Sequence, residues 1–134
     1  MTRYTDGEIM FFRAVAWSLG LSAPQEFFDW PIDTLQKICN GVGGEGSWLT
    51  PVLTWVYANY QASTAIHDVD YHIGGSEADR EQCDKRLLNN MLIEWADCHG
   101  WSRWFKKLAW RERAQIKIAY VFVRKNGDAY WRHK

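Results

Sequence analysis

Three short motifs between Cys39 and Met91 carry residue types that can do chemistry together. A glycine-rich loop reads CNGVGGEGSWLTP, a His-Asp pair follows in AIHDVDYHIGG, and Asp84 lies in SEADREQCDKRLLNNM. Glycines let backbone carbonyls turn inward, where they can bind a hard cation. The Asp68 carboxylate could complete such a site while the imidazole of the adjacent His67 acts as a base. The motifs predict calcium-assisted hydrolytic chemistry.

The His-Asp pair falls in a stretch with helical periodicity over residues 52–73, with a break expected near residues 59–61. His67 shares a helix face with Tyr71, and Asp68 shares one with His72, because each pair is four residues apart. Apolar residues mark the buried side of this predicted helix: Ile66, Val69 and Ile73. Alternatively, His67 is a partly buried structural histidine, and Asp68 and Asp70 form a solvated helix edge.

A second predicted helix carries Asp84 and begins at Ser76, which forms a capping-box pattern with Asp79. Its apolar stripe consists of Leu87, Leu88, Met91, Leu92 and Trp95. Asp84 lies one turn before this stripe on the same face, where a carboxylate is costly to bury without partners. The alternative is a surface Asp84 paired with Arg80 or Lys85.

The Gly74-Gly75 turn between these two helices is short, so the helices must be antiparallel neighbours. Asp84 could then face His67 and orient its imidazole, as a carboxylate orients a catalytic histidine. We therefore predict that the side chains of His67 and Asp84 lie within hydrogen-bond reach.

The remaining pattern is also helical, so the fold class is mainly α, in one domain covering residues 1–134. Thr5 or Asp6 is the expected cap of the first helix and Gly20 its end, while Ser22 is the expected cap of the second. The sequence predicts helices over residues 7–20, 24–29, 32–38, 52–73, 76–97 and 111–124, with a loop over 40–51.

Composition excludes some function classes and favours others. Sixteen basic and sixteen acidic residues cancel, so no net field draws the chain to nucleic acid. Nine Trp residues suit core packing or an interface. The segment from Trp101 to Trp110 interleaves aromatic with basic side chains, Lys106 and Lys107 among them, which predicts an amphipathic surface. The alternative is a core helix whose basic side chains extend to solvent.

Cysteine usage and the N-terminus favour an intracellular chain. Three cysteines, Cys39, Cys83 and Cys98, cannot all pair, and we predict no disulfide among them. The first residues lack the build of a signal peptide, and the apolar stretch from Ile9 to Leu21 is too short to span a bilayer. We expect a cytoplasmic protein that acts there or after release or delivery.

In the motifs of residues 39–91 the chain resembles the phospholipase A2 superfamily. That superfamily joins a CGxGGxG cation loop to a helix with HDxCY and a second helix with Cys-Asp. The corresponding segments here are Cys39 to Gly46, His67 to Tyr71, and Cys83-Asp84. The resemblance implies a small helical domain with two antiparallel core helices and a glycine-rich cation loop.

The resemblance also implies a division of roles. Calcium would be held by carbonyls near Asn40, Gly41 and Gly43 and by the Asp68 carboxylate. His67 would activate water, Asp84 would hold the imidazole, and Tyr71 would hydrogen-bond Asp84, as the catalytic residues of a calcium-dependent lipid ester hydrolase. The expected partner is phospholipid or a membrane surface, with Trp48, Trp55, Trp101 and Trp104 as seating residues.

The departures from the secreted enzymes are specific. Their CCxxHDxCY motif places disulfide cysteines where this chain has Ser63, Thr64 and Asp70. Residues 48–60 are extra chain, and Gly74-Gly75 replaces the long strand hairpin. In these respects the chain looks closer to the compact, disulfide-free members of the superfamily found in bacterial and phage genomes.

Three other functions remain open. A non-catalytic binding or structural module, such as a phage or bacterial accessory or inhibitor protein, would use the Trp-rich surface to bind a protein. An HD-type phosphohydrolase needs a histidine upstream of the pair, and the chain has none there. A zinc site from His67, Asp68, His72 and Asp84 fits helical spacing but matches no motif.

Overall fold

The computed structural model describes residues 4–39, 51–98 and 106–134, and these residues are mainly helical, with no strand among them. Within these ranges, seven α-helices are followed by a short 3-10 helix at Gly127–Tyr130. The α-helices are α1 Asp6–Leu19, α2 Gln25–Asp29, α3 Ile32–Ile38, α4 Pro51–Asn59, α5 Gln61–Ile73, α6 Glu77–Cys98 and α7 Lys106–Asn126. The prediction of a mainly α fold is confirmed.

Helix α5 lies between two apolar clusters, and it carries the His-Asp pair. One cluster joins its Ala62, Ala65, Ile66 and Val69 to α1, α2 and α3. The other packs Tyr71 against α4, α6, α7 and Trp131. A helix that is covered on both sides is buried almost all round, which explains why so many polar residues of α5 are buried as well.

Polar pairs tie α5 to α6 along their length. Near the start of α5, the backbone N–H of Ser63 donates to Glu94 at 3.0 Å, and the Ser63 hydroxyl donates to the same carboxylate. Near its end, Arg86 donates to Asp70 at 2.8 Å. Hydrogen bonds therefore join α5 to α6 at Ser63 and at Asp70. Asp70 is buried and does not form a solvated edge.

The α5–α6 turn is fixed by the C-terminal segment. The Gly75 N–H donates to the Arg132 carbonyl at 2.9 Å, and the Trp131 indole donates to the Gly75 carbonyl at 3.0 Å. Gly74 has φ 74°, and a Cβ there would lie 1.9 Å from the Arg132 oxygen. Only glycine allows this approach, so the turn and the chain end determine each other's position.

Several helix boundaries agree with the sequence predictions. Thr5 caps α1 in a full capping box, and Gly20 ends it in the left-handed conformation. The expected break falls at Tyr60, between α4 and α5. Ser76 and Asp79 exchange the two capping-box hydrogen bonds at the start of α6.

Two boundary predictions were wrong. Ser22 does not cap α2, because its N–H donates to the Asn90 side chain at 3.0 Å and Pro24 takes the N-cap position. Helix α7 begins at Lys106, five residues before the predicted start, so part of the Trp-rich segment is helical.

Candidate functional site

His67, Asp84 and Tyr71 meet between α5 and α6. The Nε2 atom of His67 lies 2.8 Å from Oδ1 of Asp84. The Tyr71 hydroxyl donates to the same oxygen at 2.7 Å, and its ring lies against the imidazole with centroids 4.2 Å apart. Tyr71 follows His67 by four residues, so both side chains leave one face of α5 toward Asp84. The predicted hydrogen-bond contact is present.

The second oxygen of Asp84 lies beside two arginines, of which Arg124 was not predicted from the sequence. Nη1 of Arg124, near the end of α7, donates to Oδ2 at 2.8 Å. Nη1 of Arg80 lies 3.6 Å from the same oxygen, and both arginines also pair with Glu77. Asp84 is 0 % exposed, so the alternative of a surface carboxylate was wrong, although the expected Arg80 contact exists. Lys85 pairs with Glu81 instead.

The partners of Asp84 determine which imidazole nitrogen carries the proton. Burial opposes ionisation, yet hydrogen bonds from His67, Arg124 and Tyr71 hold the pKa of Asp84 below its ordinary value. The carboxylate is therefore ionised at neutral pH and can only accept hydrogen bonds. In a neutral imidazole, the proton must sit on Nε2, which leaves the lone pair of His67 on Nδ1. Nδ1 makes no hydrogen bond to the described part of the chain.

Asp84→Asn should lower the free energy of unfolding at neutral pH by about 3 kcal/mol, because two arginines then lose their buried carboxylate partner and keep only the exposed Glu77. A lowered carboxyl pKa stabilises the fold above the pKa of the unfolded chain, and this contribution disappears as pH falls through the lower pKa of the folded state. Urea unfolding at neutral and acid pH should therefore show the gap between variant and parent shrinking on acidification. Glu81→Gln, at an exposed pair, is the control, with a change of under about 1 kcal/mol.

The Tyr71 hydroxyl, which donates to Asp84, also lies close to the backbone of Gly127. A Cβ on Gly127 would lie 2.5 Å from the Tyr71 hydroxyl oxygen, which is too close for any real contact. Gly127→Ala should push the hydroxyl away from Asp84 and destabilise the fold by about 1–3 kcal/mol, the usual effect of overpacking. Thermal unfolding measures the loss. Gly7→Ala is the matched control, since the nearest atom to its Cβ is 3.9 Å away. Equal losses in the two variants would contradict the contact.

Asp68 faces away from Asp84, toward α4. Its Oδ1 accepts a hydrogen bond from the Tyr57 hydroxyl at 3.2 Å. Removal from water raises the pKa of Asp68 to about 7, against smaller lowering effects of His67 and Tyr57. The carboxyl group thus lies in a place that disfavours its charge unless a cation is near. A carboxylate in such a place could serve as a ligand of a hard cation.

The other predicted calcium ligands, Asn40, Gly41 and Gly43, lie outside the described residues. Within the described ranges, no three His, Cys, Asp or Glu side chains converge as a metal group. The proposed zinc set is not brought together there, because His67 turns Nε2 to Asp84 and the exposed His72 contacts Trp30 and Arg132.

The cysteine and tryptophan predictions fall partly within the described chain. Cys39 and Cys83 are free thiols, and the side chain of Cys98 lies outside the described part. Trp55 is half-buried against Tyr60. Trp110 is well exposed, as an amphipathic surface requires, while residues 48 and 101–105 lie outside the described ranges. None of the described helices has the length and apolarity needed to cross a bilayer.

Comparisons of the chain with protein-family models, with curated proteins and with solved structures found no match.

Proposed function

We propose that the protein is a calcium-dependent lipid ester hydrolase of the phospholipase A2 type. The observation that carries the proposal is the hydrogen bond of 2.8 Å between His67 Nε2 and the buried Asp84 carboxylate. This bond leaves a lone pair on Nδ1, and a general base needs that lone pair. The order of the three motifs along the chain supports the same reaction class.

In the proposed reaction, His67 Nδ1 takes a proton from a water molecule whose oxygen attacks the ester carbonyl carbon. The imidazolium then returns the proton to the alkoxide oxygen as the carbon–oxygen ester bond breaks, which leaves a carboxylic acid and an alcohol. Asp84 favours the imidazolium by its charge and keeps the ring in one orientation. Tyr71 donates a hydrogen bond to the Asp84 carboxylate and thereby keeps that carboxylate in place beside the imidazole of His67.

Asp68 and the carbonyls of Asn40, Gly41 and Gly43 would hold calcium, a hard cation that prefers oxygen ligands. The desolvated carboxyl of Asp68 fits this role, since a bound cation would offset the effect that raises its pKa. When bound, calcium would act as a Lewis acid toward the ester carbonyl. The substrate class would be phospholipid, with a membrane surface as partner. Free Cys39 and Cys83 suit synthesis in a reducing cytoplasm.

The direct test is a calcium titration by isothermal calorimetry beside a hydrolysis assay on phospholipid vesicles and on a soluble short-chain ester. We expect calcium binding, hydrolysis that requires calcium, and loss of hydrolysis in a chelator. Calcium binding without hydrolysis of either ester would contradict the enzyme and favour the alternative below.

The alternative is a non-catalytic binding module on the same scaffold. Arg124 and Arg80 favour it, because their positive charges lie at Asp84 Oδ2 and weaken the carboxylate's stabilisation of an imidazolium. In this function the buried network joins α5, α6 and α7, and exposed aromatic residues bind a protein partner. The vesicle and ester assays separate the two functions, since the module would hydrolyse neither.

A further inference from the structure

Basic residues are concentrated at one end of a chain whose total charge is zero. Ten of the sixteen Lys and Arg residues follow residue 100, but only two of the sixteen Asp and Glu residues do. Residues 101–134 therefore carry a net charge of +8, balanced by −8 in residues 1–100. The overall composition hides this asymmetry, which is typical of chains that meet an anionic surface.

Helix α7 presents part of this charge on the side opposite its buried face. Ile116, Ala119 and Val123 pack inward against α4 and α6. The outward residues repeat at helical spacing and contain no acidic side chain. We name them the α7 outer face: Trp110, Ala114, Lys117, Ile118, Val121 and Lys125.

Large apolar side chains of the α7 outer face are exposed. Trp110 is 65 % exposed, Val121 58 % and Ile118 54 %. Lys117 lies between them on the face, and Arg111 borders it. Neither these two cations nor Lys125 forms an ion pair with the described residues, so their charges remain directed toward solvent.

From this arrangement we infer that the α7 outer face docks on an anionic lipid surface. The basic side chains match lipid phosphates and carboxylates, and Trp, Ile and Val insert at the boundary of the acyl chains. Nucleic acid would pair with the same charges but offers no apolar layer to a row of Trp110, Ile118 and Val121. This surface would bring the proposed lipid hydrolase to its substrate, so its biological role rests on the proposed function. Lipid binding itself requires no catalysis.

Helix α7 also reaches the candidate site, because Arg124 on its inner side donates to Asp84. A membrane bound to the outer face would thus lie one helix away from the His67–Asp84 pair. Helix α1 has a competing apolar face, with Trp17 81 % exposed. That face lacks comparable cations and follows an acidic first turn with Asp6 and Glu8.

The test is vesicle sedimentation of the full chain carrying His67→Gln, in a chelator, so that neither hydrolysis nor calcium bridging contributes. Vesicles of phosphatidylcholine alone are compared with vesicles that also contain phosphatidylserine. We expect clear preference for the anionic vesicles, reduced by added salt. Lys117→Gln with Lys125→Gln should weaken anionic binding about 25-fold, since each basic residue near the surface contributes about fivefold.

Trp110→Ser should weaken binding to the anionic vesicles, whereas Trp17→Ser, its matched control on α1, should not. Equal binding of the parent to both vesicle types would overturn the inference, as would a loss confined to Trp17→Ser. Binding to duplex DNA without vesicle binding, or self-association through the same residues, would also overturn it. If the protein binds anionic vesicles but hydrolyses no ester, the docking surface is supported and the proposed hydrolase is contradicted.

Discussion

His67→Gln should lower hydrolysis of a phospholipid ester by about 100- to 10,000-fold, the usual effect of losing a general base. Gln is the informative replacement, because its amide can still donate a hydrogen bond toward Asp84, whereas its oxygen and nitrogen cannot take a proton at neutral pH. The fold should therefore keep most of the Asp84 network while the chemistry stops. Initial rates on vesicles and on the soluble ester measure the loss.

Calcium binding by His67→Gln should remain close to that of the parent, since His67 turns Nε2 toward Asp84 and contributes no proposed metal ligand. His72→Gln is the matched control: the same change on the same helix, at an exposed ring that contacts Trp30. Its rate should stay within a few-fold of the parent. Turnover that survives in His67→Gln, or falls equally in both variants, would exclude His67 as the base.

Much of the helical fold was predictable because its signals are local. The Thr5 capping box and the left-handed Gly20 each depend on a few neighbouring residues, whose types fix the backbone. The α2 cap failed for the opposite reason. Ser22 can cap a helix, but Asn90 lies 68 residues away in the chain and takes its backbone N–H.

The contacts of the candidate site also divide into those that local sequence predicts and those made by distant residues. His67, Tyr71 and Asp84 were predictable because helical spacing and one short turn bring them together. Arg124 was not, since it comes to Asp84 from α7, 40 residues later in the chain. An Arg in the last turn of a helix is ordinary in sequence, because it also complements the helix dipole. Only the packing of α7 on α6 shows that this Arg meets a buried carboxylate.

Asp68→Asn should weaken calcium binding and hydrolysis together, because the amide keeps the shape of the carboxylate but removes its charge. We expect hydrolysis to fall by about 100-fold or more at a calcium concentration that saturates the parent, since the proposed cation contributes several kcal/mol to the barrier. Raising calcium should recover part of the activity in this variant, whereas it should recover none in His67→Gln. Calorimetry and initial rates over a calcium series make the comparison.

The pH dependence gives Asp68 a second signature. Desolvation raises the pKa of its carboxyl to about 7, so protons and calcium compete for the group near neutrality. Calcium affinity of the parent should rise with pH through about 7 and then level off, and Asp68→Asn should lose that rise. Asp97→Asn, an exposed change on α6, is the control and should leave the profile unaltered. A profile that is the same in the parent and in Asp68→Asn would remove Asp68 from the cation site, while the His67 result would stand independently.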